Sequence, residues 1–170
     1  MNTIILIRAA TEADERPLKR LEHSTWSPEV SSIPPWDGGG EFFAERAPQD
    51  VVVATREQVP VGFVKLRRAS DLQSNGHVLQ LAGMAVAPSH WRQGIGYRLV
   101  TAATHVARNR GAQRLSVHVL ATNTAALRLY SVCGFSVDGT LAREFLLEGK
   151  HVDDVLMALP LTEKWFRRNP

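Results

Sequence analysis

Two rhythms of apolar residues run through this chain, and elements end where one gives way to the other. Unbroken runs at Ile4-Ile5-Leu6-Ile7 and Val51-Val52-Val53-Ala54 predict buried strands. Val61 to Leu66, strongest at Phe63 and Val64, and His77 to Val86 predict two more, separated by the loop Ser70 to Gly76. In Arg114 to Leu120, Leu115, Val117 and Val119 alternate with Ser116 and His118, so one face of that strand is less apolar. Helical spacing governs three other segments. The first starts near Asp14 or Glu15, where Pro17 is tolerated in the opening turn, and turns Leu18, Leu21 and Trp26 inward. The second carries Leu99, Ala102, Ala103, Val106 and Ala107 and stops at Gly111; the third runs from a Thr122 or Asn123 cap through Tyr130 and stops at Gly134. Phe135 opens a strand, and Arg143 to Leu147 with Asp153 to Leu159 form a closing hairpin around Glu148-Gly149-Lys150. This order predicts a single α/β domain over residues 1–170, with its core at about 4–161 and a short C-terminal tail. Its mixed sheet carries helices on both faces.

Two places break the rhythm. Ser27 to Gln49 holds Pro28, Pro34, Pro35 and Gly38 to Gly40 together with Trp36, Phe42 and Phe43, as either a binding loop or a flap that pins its aromatics to the core. Gly83, inside an otherwise apolar strand, marks a bulge or a close backbone approach.

The chemistry concentrates at Met84-Ala85-Val86-Ala87-Pro88-Ser89-His90-Trp91-Arg92-Gln93-Gly94-Ile95-Gly96-Tyr97. Pro88 closes the strand because it cannot donate to a ladder. Gly94 and Gly96 strip Cβ atoms from a helix start, where unpaired amides and the helix dipole attract an anion such as a phosphate or pyrophosphate. A dinucleotide fingerprint fails here, because its third glycine would fall on Leu99. A Walker A loop fails too, because Gly96-Tyr97-Arg98 is not Gly-Lys-Ser/Thr.

Gln93-Gly94-Ile95-Gly96 after Val86-Ala87-Pro88 resembles the acyl-CoA pyrophosphate loop of the GNAT superfamily of N-acyltransferases. One position departs from that pattern, Gln/Arg-x-x-Gly-x-Gly/Ala: its first residue is Trp91 here, with Arg92 beside it. Asn123-x-x-Ala126-x-x-Leu129-Tyr130-x-x-x-Gly134-Phe135 resembles the helix-and-strand motif of the same superfamily, and Gly139, Gly149, Asp154 and Met157 resemble its C-terminal hairpin. The resemblance spans about Ile4 to Leu161. It implies a GNAT-like, mostly antiparallel mixed sheet flanked by helices on both faces, and an N-acetyltransferase that moves an acetyl group from acetyl-CoA to a primary amine by direct attack in a ternary complex. The other reading is a CoA-binding sensor or structural domain without turnover. By the resemblance, Met84, Ala85 and Val86 supply backbone to the thioester. Trp91, Arg92, Gln93, Gly94, Ile95, Gly96 and Tyr97 hold the cofactor phosphates, Asn123 orients the CoA arm, and Tyr130 is the general acid.

Such a transfer needs a neutral amine, although an alkyl amine with a pKa near ~10 is mostly protonated at neutral pH. The run His77 to Val86 has no Asp or Glu, and the amide of Gln80 cannot take a proton. His77, His118, Glu22 or a relay of waters are the candidate bases. A closed aromatic pocket of Trp26, Trp36 and Phe42 would suit a small amine, and an open groove a protein amino group.

Composition narrows the rest. A net charge of +3, without a Lys/Arg run interleaved with aromatics, argues against nucleic acid. The N-terminal apolar run is broken by Arg8, too short for a membrane span or a signal peptide. Six histidines lack metal-site spacing, so no metal is expected. Cys133, the one cysteine, reads as a buried structural thiol, and a cytoplasmic location follows as the default. A homodimer is left open.

Overall fold

The computed structural model describes residues 4–33, 40–44 and 46–162. They form strands β1 (Ile5–Ala9), β2 (Val51–Arg56), β3 (Val59–Arg68), β4 (Val78–Val86), β5 (Arg114–Leu120), β6 (Ser136–Leu147) and β7 (Lys150–Pro160), with helices α1 (Glu15–Thr25), α2 (Ile95–Asn109) and α3 (Thr124–Val132). The strands build one seven-stranded sheet in the order β1-β2-β3-β4-β5-β7-β6. β4 and β5 are parallel and every other neighbouring pair is antiparallel. The mixed, mostly antiparallel sheet is therefore as expected.

Both faces of the sheet are covered, which is why its central strands read as continuous apolar runs rather than alternating ones. Val51, Val53 and Phe63 point to one face and pack with Leu18 and Leu21 of α1 and with Phe42. Val52, Ala54, Val64, Leu66, Leu79, Leu81, Leu115, Val117 and Val119 point to the other, where Leu99, Val100, Ala103 and Ala107 of α2 close over them. Leu99 is fully buried, and truncating such a leucine to alanine costs about 2–5 kcal/mol.

Two details differ from the sequence reading. β4 begins at Val78, leaving His77 as the residue whose carbonyl accepts from Gln113 and Arg114. β6 is one strand of 12 residues rather than two pieces, bent by register shifts at Val137/Gly139 and Leu141/Phe145. Its hairpin to β7 turns at Glu148 (φ 49) and Gly149 (φ 79), the two positive φ angles of a type I′ turn.

The bulge expected at Gly83 is present and sets up everything that follows. Leu66 pairs with Leu81 and Lys65 with Gly83, so Ala82 is an extra residue in β4, and Gly83 takes φ 149. The parallel pairing of β4 with β5 runs only from Val78/Arg114 to Leu81/Val117. Beyond the bulge the two strands part. No helix among the described residues is long and apolar enough to cross a membrane.

Candidate functional site

The parted strands open a cleft of about 1000 Å³. Its walls come from β4 beyond the bulge, the turn into α2, the end of β5 and the inner side of α3. From Met84 to Val86, β3 holds one edge of β4 while the edge that faced β5 has no partner strand. Alternate backbone groups there face the cleft, available to a carbonyl oxygen or an amide chain.

The turn into α2 is shaped by its backbone. Arg92 (φ 60) and Gly94 (φ 74) both take left-handed conformations. A non-glycine residue held there stores strain of the kind that persists where the surroundings over-determine it. The amides of Ile95, Gly96 and Tyr97 find no acceptor among the described residues; the first bond of the helix is Arg98 N–H to the Gly94 carbonyl at 3.1 Å. Amides converging on one point at a dipole's positive end form an anion cradle. A Cβ on Gly94 would meet nothing within 4 Å, so the space above it is open, as a bound phosphate requires. Gly96 differs: a Cβ there would lie 3.0 Å from Leu129 Cδ2, so this glycine lets α2 approach α3.

The departure at Trp91 has a physical account. Its indole Nε1 donates to the Val86 carbonyl at 2.6 Å, bracing the strand end against the turn while the ring stays exposed. Gln93 donates from its side chain to the Ser89 carbonyl at 3.3 Å and does not line the cleft. Asn123 caps α3, its Oδ1 accepting from Ala126 N–H at 3.1 Å, and it also lines the cleft.

Tyr130 comes from the α3 side. Its ring packs against Phe135, with centroids 5.4 Å apart, and the residue is 4 % exposed yet lines the cleft. Burial holds its hydroxyl well above the ordinary phenol range, so it stays protonated at neutral pH. Cys133, next on that helix face, is half-buried against the core, and burial pushes its thiol up.

Of the side chains proposed as bases, His118 lines the cleft, from the opposite face. His118 Nδ1 lies 2.6 Å from Asp154 Oδ2, and both residues line the cleft. Their approach follows from register: Asp154 on β7 pairs with Leu120, two residues beyond His118 on the same face of β5. His77 and Glu22 do not line the cleft. Glu22 instead ion-pairs with Lys65, whose ammonium sits 4.3 Å from the Phe42 ring centroid; burial lowers the pKa of Lys65 despite that partner.

Two of the three aromatics whose closed pocket would suit a small amine, Phe42 and Trp26, are engaged elsewhere. Phe42 is buried in the α1-side core, edge-on to Phe43 and Phe63 at 5.2 Å each, so this part of the irregular segment pins its rings to the core. Trp26 donates from Nε1 to the Ile33 carbonyl at 2.7 Å and so tethers the loop, while Trp36 lies outside the described residues. The cleft is roofed there by Val30, Ser31, Ser32 and Ile33, tied to the β5–α3 loop by Thr122 Oγ1 donating to the Glu29 carbonyl at 2.7 Å. These residues and Arg67 are additions to the site that the sequence did not point to. A segment without periodicity gives no clue to what it covers.

The family model described as Acetyltransferase (GNAT) family matches residues 15–135, and the chain belongs to that family. It is 37% identical over 78 residues to aminoglycoside N(6′)-acetyltransferase type 1 of Klebsiella aerogenes, covering 45% of this chain and 51% of that protein. It is 34% identical over 84 residues to the [Ribosomal protein bS18]-alanine N-acetyltransferase of Escherichia coli, covering 48% and 55%. The chain thus spans about half the length of these two relatives. Spermidine N(1)-acetyltransferase of Vibrio cholerae matches over 99% of both chains at 24% identity. Among solved structures, smu.2055 from Streptococcus mutans superposes with a TM-score of 0.82 at 26% identity, covering 92% of this chain and 99% of that one. The structure of yncA from Salmonella typhimurium with its cofactor acetyl-CoA gives 0.81 at 19% identity over 99% and 98%.

Proposed function

We propose that this protein is an N-acetyltransferase that moves an acetyl group from acetyl-CoA to a primary amine, both bound at once. The observation that carries the reading is the opening between β4 and β5. It gives one cleft an anion cradle at Ile95 to Tyr97, a protonated phenol at Tyr130 and a carboxylate-braced imidazole at His118. The sequence relatives named above act, by their names, on an aminoglycoside, a protein alanine and spermidine, all of them amines.

The residues present fit the cofactor. The amides of Arg92 to Tyr97 would hold its phosphates, with open space over Gly94, and Asn123 would steady the amide-bearing arm. When bound, acetyl-CoA supplies an acetyl thioester. Roles divide by face of the sheet. His118, held in orientation by Asp154, takes a proton from the attacking amine as nitrogen bonds to the acyl carbon. The open edge of β4 between Met84 and Val86 offers backbone N–H to the carbonyl oxygen as charge grows on it, a contribution of roughly 3 kcal/mol for one fixed donor. Tyr130 gives its proton to sulfur as the C–S bond breaks. Its raised pKa would make it a poor acid in water, but the same dry surroundings make a thiolate more basic, so the transfer remains matched.

The test is thiol release from acetyl-CoA against a panel of amines, with CoA binding followed separately by calorimetry. Turnover with any amine supports the enzyme. CoA binding without turnover across the panel would favour a sensor, and no CoA binding by folded protein would sink both readings.

A further inference from the structure

The side of the cleft that would receive the amine is not neutral. Arg67, Gln80, His118 and Asp154 sit on four different strands but on one face of the sheet, the α1 side. Their neighbours in each strand settle the face: Leu66, Leu79, Leu81, Val117 and Val155 all point into the α2-side core. All four line the same cleft. Arg67 pairs with Gln80 across β3–β4, and its Nε donates to Gln80 Oε1 at 2.8 Å. Gln80 is buried, so the anchor is rigid, whereas Arg67 is exposed to the cleft.

An arginine fixed through Nε keeps the fork of its two Nη groups for something else. Those groups have no acceptor among the described residues. Two ladder spacings and two residues along β5 separate the Arg67 and His118 backbones, roughly 12 Å, a separation that a small molecule can span together with the two side chains that line the same cleft. Asp154 is the single carboxylate among the described residues lining the cleft, and it is taken by His118. Among the described residues a polycation would find no free counter-charge there.

We infer that the acceptor is a small amino compound carrying an oxyanion, with Arg67 gripping the anion through its Nη fork while the amine is presented to His118. This rests on the N-acetyltransferase reading and narrows its substrate class to free amino acids and their phosphonate analogues, rather than polyamines or protein amino termini. The roof at Val30 and Ile33 and the ring of Phe145 add apolar lining, which suits a hydrocarbon side chain.

The experiment compares L-leucine, its aminophosphonate analogue, L-leucinamide and spermidine as acceptors for the wild-type chain, Arg67→Met and Arg67→Lys. Wild type should prefer the carboxylate or the phosphonate over the amide by about tenfold or more in kcat/KM. Whichever of the two is preferred names the oxyanion. Arg67→Met should collapse that ratio towards one, and Arg67→Lys should keep part of it, with melting temperatures reporting that each variant is folded. Preference for the amide or spermidine, or a ratio that survives Arg67→Met, overturns the assignment. Absence of turnover with every amine counts instead against the enzyme. The assignment is then decided by calorimetry on the CoA-loaded chain, where leucine or its phosphonate should bind wild type and not Arg67→Met. Binding of neither to wild type overturns it.

Discussion

His118 Nδ1 and Asp154 Oδ2 approach to 2.6 Å across the β5–β7 ladder, with the carboxylate buried and the imidazole about half exposed at the cleft. A carboxylate so placed fixes which ring nitrogen carries the proton and aims the other at the cleft, since the two nitrogens of a neutral imidazole are a donor and an acceptor. Loss of a positioned base costs on the order of 10²–10⁴-fold in rate, so His118→Gln should lower kcat by that range at neutral pH. Asp154→Asn keeps the imidazole and should cost less, roughly tenfold to a hundredfold. The double variant should be little worse than His118→Gln alone, because residues acting as one unit are not additive. Steady-state rates with one accepted amine measure all three. Equal, additive losses would mean that the pair is merely structural.

Gly94 and Gly96, two residues apart, should fail in different ways. Gly96→Ala places a Cβ 3.0 Å from Leu129 Cδ2, so its effect should fall on the melting temperature, through the α2–α3 contact, and leave CoA affinity close to wild type. Gly94→Ala meets open space but must hold φ near 74, a strain of about 1–2 kcal/mol, and any relaxation turns the cradle's amides away. It should therefore weaken CoA binding measured by calorimetry by more than its loss of stability accounts for. Unchanged affinity would show that the turn holds no phosphate.

Local signals were legible in the sequence and pairings were not. Gly83 announced the bulge because a strand glycine has few other uses, and Asn123 announced a cap that is present. Of the two glycines at the start of α2, Gly94 leaves the space above the turn open, whereas Gly96 serves the packing of α2 on α3, a division that the sequence does not show. His118 and Asp154 are 36 residues apart, and only the β5–β7 register makes them neighbours. The same holds for Arg67 with Gln80, which meet through the β3–β4 register. The departure at Trp91 is legible as a departure, but the bond from its indole to the Val86 carbonyl is a contact that spacing alone does not reveal.

The N-terminus offers a pH test independent of the cleft. Asp14 is buried beneath Arg8, which donates to its two oxygens at 2.7 and 2.9 Å, while Thr11 N–H donates at 2.8 Å. The Arg8 hydrogen bonds, aided by Thr11, outweigh burial and hold the Asp14 carboxyl below its ordinary range. A carboxyl depressed in the folded state contributes stability that is fully present above the unfolded pKa of ~3.9 and disappears as pH falls through the folded value. Asp14→Asn should therefore destabilise by about 1–2 kcal/mol at pH 6, and the gap to wild type should narrow as the pH falls from the unfolded carboxyl value of ~3.9 towards the lower folded one. Urea denaturation across that window checks it. A gap that is constant with pH would mean that the aspartate acts through shape alone.

Tyr130 is the sharpest test of the chemistry, because its packing and its proton can be separated. The ring is wedged against Phe135 and the α2-side core, so Tyr130→Phe keeps every apolar contact and removes only the hydroxyl. Loss of packing would lower the melting temperature, and loss of a general acid would not. Turnover should therefore drop on the order of 10²–10⁴-fold, with acetyl-CoA affinity and melting temperature close to wild type. A second series sharpens the assignment. Acyl donors with more acidic thiols need less help in leaving, so the gap between wild type and Tyr130→Phe should shrink as thiol pKa falls. Burial of the phenol adds a control, since its pKa lies well above the ordinary range and its ionisation should leave no mark on the rate below pH 10. Full activity of the phenylalanine variant would remove Tyr130 from the reaction and leave solvent to protonate the departing sulfur.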